Sequence, residues 1–283
     1  MIESGLLPKL KNYYHKSGLN KNWIINKIIS FGFELFIKIF HVIPKNQVVN
    51  THGIKMKLNY GKKYGSFNRF FGLHEAEQME FFQNFVNEND IVFDVGANEG
   101  DYALISAKKI GKNGKVFAFE PDLERIKILK ENIELNLFNN IEIVPRGVSE
   151  KKGKVYFNDG FCSVESQNKK VIETISLDEF SEEKGVLPNK IKIDVEGFEL
   201  LVIKGMGKIL NEQKKIILLI EIHPQFILGK TKDIFEIIKI LVENDFVITD
   251  WITKDEINLN NFDKFKMRDD TWHVIAEKNL KIN

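Results

Sequence analysis

From residue 90 onward, short apolar runs alternate with longer amphipathic stretches in a regular rhythm. The runs at 91–95, 115–119, 141–145, 190–194, 216–222, 246–251 and 272–277 are short, rich in Ile, Val and Phe, and predict strands. Segments 101–110, 122–137, 199–210 and 231–244 lie between most of them and place apolar residues at helical spacing. Strands alternating with helices need crossover connections, which build a parallel sheet with helices on both faces. The last two strands have no clear helix between them, so they are expected to be antiparallel neighbours. The fold class is therefore α/β: seven strands, mostly parallel, with the last one reversed.

The rhythm breaks at 150–180, where Lys154–Phe157 and Glu173–Leu177 read as short strands beside a polar loop at 158–170. Upstream, His74 to Asn87 predicts a helix with Met79, Phe82 and Val86 inward. Gly53, Gly61, Gly65 and Gly72 make 50–74 a region of short strands and turns. Before that, the apolar stretch from Trp23 to Ile43 is interrupted by Asn26, Lys27, Glu34 and Lys38; Asn22, Asn26, Ser30, Glu34 and Lys38 fall four apart as a polar stripe, and Pro44 ends it. Those interruptions argue against a membrane span, which needs ~20 nearly unbroken apolar residues. An interfacial helix, a subunit contact in a homo-oligomer, or a helix packed on the main domain all fit. The expected domains are a basic, mostly helical extension at 1–49 and a domain at 50–283, of which 50–89 is lead-in and 90–283 the core.

Composition changes the picture in three ways. With 43% hydrophobic and 29% charged residues, the chain is neither disordered nor fibrous. One cysteine, Cys162, cannot form an internal disulfide, and the first residues lack the apolar core of a secretory signal. The cytoplasm, or its membrane face, is the expected compartment. The net charge of +1 hides an asymmetry: residues 1–74 hold twelve Lys/Arg against Glu3 and Glu34, so 12 − 2 = +10, leaving −9 elsewhere. An anionic membrane surface, a nucleic acid, or the acidic remainder of the protein itself would satisfy that basic part.

Two strands carry the candidate chemistry. The first ends in Asp94 and runs into Gly96-Ala-Asn-Glu-Gly100, a turn into a helix whose free N–H groups face a ligand. A dinucleotide fingerprint would need glycine where Asn98 and Asp101 stand, so NAD and FAD are disfavoured. Glu120 ends the next strand, where an acid can accept both hydroxyls of a ribose. The second strand of interest ends in Asp194, followed by Glu196 and Glu199. The strand after it ends Glu221-Ile-His223-Pro224. Open α/β sheets bind ligands at these strand ends.

Together these motifs resemble the FkbM family of S-adenosylmethionine-dependent methyltransferases over roughly residues 70–251. The matching residues are Phe93-Asp-Val-Gly-Ala-Asn-x-Gly100, Phe119-Glu-Pro121, Glu131-Asn-Ile-x-Leu-Asn136, Ile175-Ser-Leu-Asp-Glu179 and, most distinctively, Ile191-Lys-Ile-Asp-Val-Glu-Gly-x-Glu199. The resemblance implies a Rossmann-like seven-stranded methyltransferase sheet. It implies S-adenosylmethionine as cofactor, with Gly96, Asn98 and Gly100 around the methionine part, Asp94 under its amino-acid end and Glu120 on the ribose. Ala97, Tyr102, Pro121 and Asp194 complete the expected lining, and Gly147 and Val148 stand where the adenine pocket would be. Glu99 and Asp101 receive no fixed role.

For catalysis, Asp194 is the first candidate for general base or acceptor-orienting residue, Glu196 the second, and His223 a base or hydrogen-bonding crevice residue. Glu199 reads as an acid complementing a helix dipole, and Lys192 as a strand residue whose ammonium reaches a neighbouring carboxylate. An ion shared by Asp194, Glu221 and His223 is conceivable, but no close-spaced ligand motif enforces one and no metal is expected. Trp251 and Trp272 read as core. The expected reaction is O-methylation of a hydroxyl on a sugar, glycan or related metabolite. Methylation of a nitrogen or a lipid, and a non-catalytic interaction module, are the alternatives. The Asn-Pro-Pro-aromatic tetrad of amino-methylating enzymes is absent, which argues against a nucleic-acid acceptor.

Overall fold

The computed structural model describes residues 48–57, 75–158, 161–163, 170–224, 226, 231–264 and 271–279. The chain divides into two compact units, Met1–Phe81 and Phe82–Asn283. In the first, β1 (Val48–Thr51) and β2 (Ile54–Lys57) form an antiparallel hairpin that buries Val49, Ile54 and Met56. The predicted basic helix and the turns at 58–74 lie outside the described residues. Helix α1 (Ala76–Phe85) runs across the division, and Met79, Phe82 and Val86 are buried as their spacing predicts. No helix among the described residues is long and apolar enough to cross a membrane.

The second unit begins β3 (Ile91–Val95), α2 (Asp101–Ile110), β4 (Lys115–Phe119), α3 (Leu123–Asn136), β5 (Ile141–Val144). An inserted section follows: β6 (Gly147–Val148), β7 (Gly153–Asn158), β8 (Phe161–Ser163), β9 (Lys170–Ile175) and α4 (Leu177–Lys184). The main rhythm resumes with β10 (Lys190–Ile193), α5 (Glu199–Lys204), α6 (Gly207–Glu212), β11 (Lys215–Ile222) and α7 (Thr231–Glu243). It ends with β12 (Val247–Asp250), β13 (Glu256–Ile257) and β14 (Trp272–Asn279).

The main sheet has the order β13-β12-β14-β11-β10-β3-β4-β5. All pairs from β11 through β5 are parallel, while β14 is antiparallel to both β11 and β12. This is the Rossmann-like sheet with its reversed last strand; the two-residue β13 adds an eighth strand at the edge. Central strands read as unbroken apolar runs because both their faces are covered, and β10 is buried at every position. Phe93, Phe117, Phe119 and Phe180 meet edge-on with centroids 4.8–5.5 Å apart, each such pair adding about 0.5–1.5 kcal/mol beyond its burial. From β3 the chain moves outward to β4 and β5, then returns to the other side of β3 to lay down β10. That reversal opens a crevice at the carboxyl ends of β3 and β10.

The structure corrects three boundaries. The strand expected at Glu173–Leu177 stops at Ile175, because Ser176 caps α4: its hydroxyl accepts from Glu179 N–H and the Glu179 carboxylate accepts from Ser176 N–H. The single helix expected at 199–210 is split into α5 and α6. At the break Gly205 lies so close to the Ser149 carbonyl that a Cβ would stand 2.3 Å from it. The section expected to hold two strands and a loop is a second, four-stranded sheet, order β6-β9-β7-β8.

Candidate active site

The turn after β3 is shaped by what surrounds it. Gly96 has φ +86°, and a Cβ there would fall 1.8 Å from the Asp194 carbonyl oxygen, so no side chain fits. Gly96 N–H and Ala97 N–H both donate to the Phe119 carbonyl, at 3.0 and 2.9 Å, which stitches the turn to the end of β4. Gly100, at φ +100°, lies against Leu129 of α3. The Asn132 amide, from the Glu131-Asn-Ile motif, donates to the Glu99 carbonyl at 2.8 Å, and the Glu99 carboxylate pairs with Arg125 at 2.6 Å. Glu99, given no role from sequence, thus fastens the turn to α3.

Two carboxylates flank this turn. Glu120 accepts from Asn98 N–H and Asp122 N–H, both at 2.8 Å. Burial pushes its carboxyl up to about 7, against those two backbone bonds. Asp94 is 2% exposed. Burial raises it to about 7 as well, opposed mainly by the charge of Lys192. Asp94 Oδ2 is buried with no hydrogen-bond partner among the described residues. An orphaned carboxylate oxygen, a turn with no room for a Cβ and a second acid at the neighbouring strand tip fit an amine-bearing, ribose-bearing cofactor. Pro121 follows Glu120 directly. Tyr102 is buried in α2, edge-on to Phe82 and 5.0 Å from the Lys192 ammonium. Gly147 and Val148 are buried in β6, three residues beyond Val144, whose carbonyl takes Glu120 N–H at 3.1 Å.

A second cluster gathers at the ends of β10 and β11. Lys192, 1% exposed, stands 3.3 Å from Glu221 and 3.7 Å from Asp194. His223 is buried, and its Nδ1 donates to Glu199 Oε1 at 2.9 Å; that same oxygen accepts from Gly197 N–H. Its Nε2 faces oxygens of Glu221, Glu196 and Asp194 at 3.5, 3.6 and 3.7 Å. Burial alone would lower His223, but hydrogen bonds to Glu199 and Glu221 and the charge of Asp194 raise it to about 10. Burial likewise acts to raise Glu221, and Lys192 with the two histidines overrides it, holding that carboxyl far below the usual range. Burial raises Glu196, against the pull of His223. Glu196 also sits at φ +51°, unusual for a residue with a side chain.

The two clusters are one place, because Gly96 of the first packs on the backbone of Asp194 in the second. Asp94, Gly96, Ala97, Asn98, Gly100 and Glu120 gather on one side, and Asp194, Glu196 and His223 on the other. Glu199 is fully buried and holds the imidazole rather than merely complementing a helix end. His273 carries no assigned role in the sequence reading. The β11–β14 register sets it opposite Glu221, with Nε2 at 3.3 Å, so the cue lay in strand pairing and not in a motif. Trp272 is core, as expected, with its indole N–H on Asp250.

Residues 94–248, more than half of the 283, match the family described as the methyltransferase FkbM domain. The chain belongs to this family. It is an S-adenosylmethionine-dependent methyltransferase with the FkbM domain as its core. Hexuronic acid methyltransferase AglP of Haloferax volcanii is 34% identical over 175 residues, covering 57% of this chain and 70% of that protein. A ribosomal protein L11 methyltransferase of Thermoanaerobacter pseudethanolicus is 32% identical over 104 residues, 36% of this chain and 32% of that one. Among solved structures, the methyltransferase FkbM of Methylobacillus flagellatus aligns with 76% of this chain and 55% of its own at 17% identity and a TM-score of 0.46.

Proposed function

We propose that this FkbM methyltransferase methylates a hydroxyl of a sugar or glycan-type acceptor in the crevice between β3 and β10. The observation that carries the reading is the packing of Gly96 on the Asp194 carbonyl, which sets a cofactor turn and a cluster of acids side by side. When bound, S-adenosylmethionine supplies a sulfonium methyl, so that one O–C bond forms as the C–S electron pair returns to sulfur. Asp94 and Glu120, with the turn at 96–100, would hold it.

The remaining tasks belong to the acids. A hydroxyl must be aligned with the methyl and must lose its proton. Glu196 is the most open carboxylate of the cluster, with its side chain 39% exposed, and we assign it the proton. Asp194, 28% exposed and set between Lys192 and His223, orients the hydroxyl. Lys192 and Glu199 are positioning residues: one steadies Asp194 and Glu221, the other fixes the imidazole ring.

The charge balance favours a hydroxyl over a carboxylate acceptor. Asp194, Glu196, Glu199 and Glu221 outnumber the cations Lys192 and His223, so an anionic oxygen would meet repulsion, whereas a neutral hydroxyl needs the base this cluster offers. The similarity to a hexuronic acid methyltransferase supports a sugar-type acceptor.

The test is transfer of labelled methyl to a panel of free and glycan-linked hexoses and hexuronic acids. An alkali-stable methyl ether is expected. Alkali-labile label marks a methyl ester and would overturn the hydroxyl assignment, and label confined to lipid, protein or nucleic acid would overturn the acceptor class. Glu196→Gln should lower turnover by ~10²–10⁴ while leaving affinity for S-adenosylhomocysteine nearly unchanged.

A further inference from the structure

We infer that Asp194, Glu196 and His223 form a site for one divalent cation beside the cofactor turn, of the kind that accepts carboxylate oxygen and imidazole nitrogen together. The sequence enforces no such ion; the folded arrangement does what spacing alone could not. Its chemical use rests on the methyl-transfer reading above, but its existence can be tested without it.

The first argument is distance. One ligand atom from each of the three residues lies within 4.8 Å of the others. His223 Nε2 is 3.6 Å from Glu196 Oε2 and 3.7 Å from Asp194 Oδ1. Both separations are too long for a well-formed hydrogen bond, which spans about 2.7–3.2 Å. Two ligand atoms that each stand ~2.1 Å from an ion are about 3.0–3.5 Å apart, so the two separations from His223 Nε2 need contract by only a few tenths of an ångström to suit a cation. His223 Nε2 stands nearly equidistant from oxygens of Glu221, Glu196 and Asp194, at 3.5, 3.6 and 3.7 Å, and an ion held with Glu196 and Asp194 would take over that shared position.

The second argument is orientation. A ligating histidine donates its other ring nitrogen to a carboxylate or carbonyl, which fixes the tautomer and turns the lone pair toward the metal. His223 does this: Nδ1 donates to Glu199 at 2.9 Å, and Glu199 is itself fully buried and anchored by Gly197 N–H. Nothing in a mere proton-sharing cluster requires so rigid a support. Charge supplies the third argument. Four carboxylates, Asp194, Glu196, Glu199 and Glu221, gather around Lys192 and His223, and a divalent ion would balance the excess.

The site is closed on one side and open on the other. His223 is buried, while Asp194 and Glu196 keep 28% and 39% of their side chains exposed. Catalytic metal sites leave a coordination position for substrate in this way. An acceptor hydroxyl on the ion would lose its proton more readily, and the second oxygen of a carboxylate ligand could take it. Mixed nitrogen and oxygen donors suit Mn²⁺ well, which makes it the probe.

The experiment titrates Mn²⁺ into metal-stripped full-length protein and follows the loss of the free-ion electron paramagnetic resonance signal. One ion per chain is expected, with affinity reduced ~10–100-fold in Glu199→Gln, which leaves all three ligands in place. His223→Ala and Glu196→Gln should abolish the site, and the half-exposed Glu196 makes the second variant safe to fold. Asp94→Asn, across the crevice, should leave Mn²⁺ binding intact. No binding at millimolar Mn²⁺, or binding indifferent to the Glu196 and Glu199 variants, overturns the inference. Calorimetry with S-adenosylhomocysteine and methyl transfer in excess chelator separate the two readings. Transfer that persists in chelator without Mn²⁺ binding sinks the ion and spares the transferase assignment; site-specific Mn²⁺ binding with no sugar methylation does the reverse.

Discussion

Asp94 keeps its charge at the expense of the folded state. Its ordinary value of 3.8 is raised to about 7, chiefly by burial, with Asp101 and Glu120 adding repulsion and Lys192 opposing. A carboxyl raised by folding contributes stability that is whole below its unfolded value and is lost as pH rises through the folded one. Asp94→Asn should therefore stabilise the ligand-free protein by roughly 1–3 kcal/mol above pH 7, and by much less near pH 4, while cofactor binding collapses; urea melts at the two pH values check the sign. Glu120 is raised to about 7 by the same cause, against backbone bonds from Asp122 and Asn98. Since both acids must be ionised to receive an amine and ribose hydroxyls, calorimetric affinity for S-adenosylhomocysteine should climb between pH 6 and 8. Glu120→Gln should cost about 1–3 kcal/mol of that affinity at pH 8 and flatten the pH dependence. These two acids were legible in the sequence because each ends an apolar run. Glu199 and His273 were not: the buried bond from Glu199 to His223 spans 24 residues, and His273 meets Glu221 only across an antiparallel register.

At the scale of elements, the turn after β3 is the sharpest constraint. Gly96→Ala would drive a methyl to 1.8 Å from the Asp194 carbonyl at a φ of +86°, forcing β3 and β10 apart at their carboxyl ends. A loss of roughly 2–4 kcal/mol is expected, together with cofactor binding. Gly185→Ala is the control, because that helix-ending glycine has φ +66° and open space around it, so only about 1 kcal/mol of backbone strain should register. Chemical denaturation of the two variants separates crowding from strain. The central strands could be read from the chain because burial on both faces leaves a continuous apolar run. The start of α4 was obscured because Ile175 and Leu177 continue a strand-like alternation through Ser176, although Ser176-x-x-Glu179 has the spacing of the capping box that the structure shows. The break between α5 and α6 had a cue in Gly205 and Gly207, but the close approach that needs a glycine there is to a carbonyl at Ser149, far back in the chain.

For the whole molecule, strand order matters more than strand content. Seven strands and the reversal of the last were legible from the alternation of runs and the missing crossover helix. The second sheet was half legible: β7 and β9 overlap the expected strands, whereas β6 is two residues long and β8 three, too short to carry a period. Ile91 N–H donates to the Asn189 side chain across 98 residues, so β3 finds its partner only after the inserted sheet has been laid down. Chain ending before β11 lacks Glu221 and His223, and such a fragment should bind no S-adenosylhomocysteine and show no cooperative melt. The fit of Gly96 against Asp194 thus has a bearing on biosynthesis. While the ribosome is still making the middle of the protein, one flank of β3 stands bare, an unpaired and strongly apolar edge that neighbouring nascent chains could join. Slow translation through residues 150–190 should prolong that exposure, and the newborn enzyme would lean on chaperones until β10 arrives to cover it.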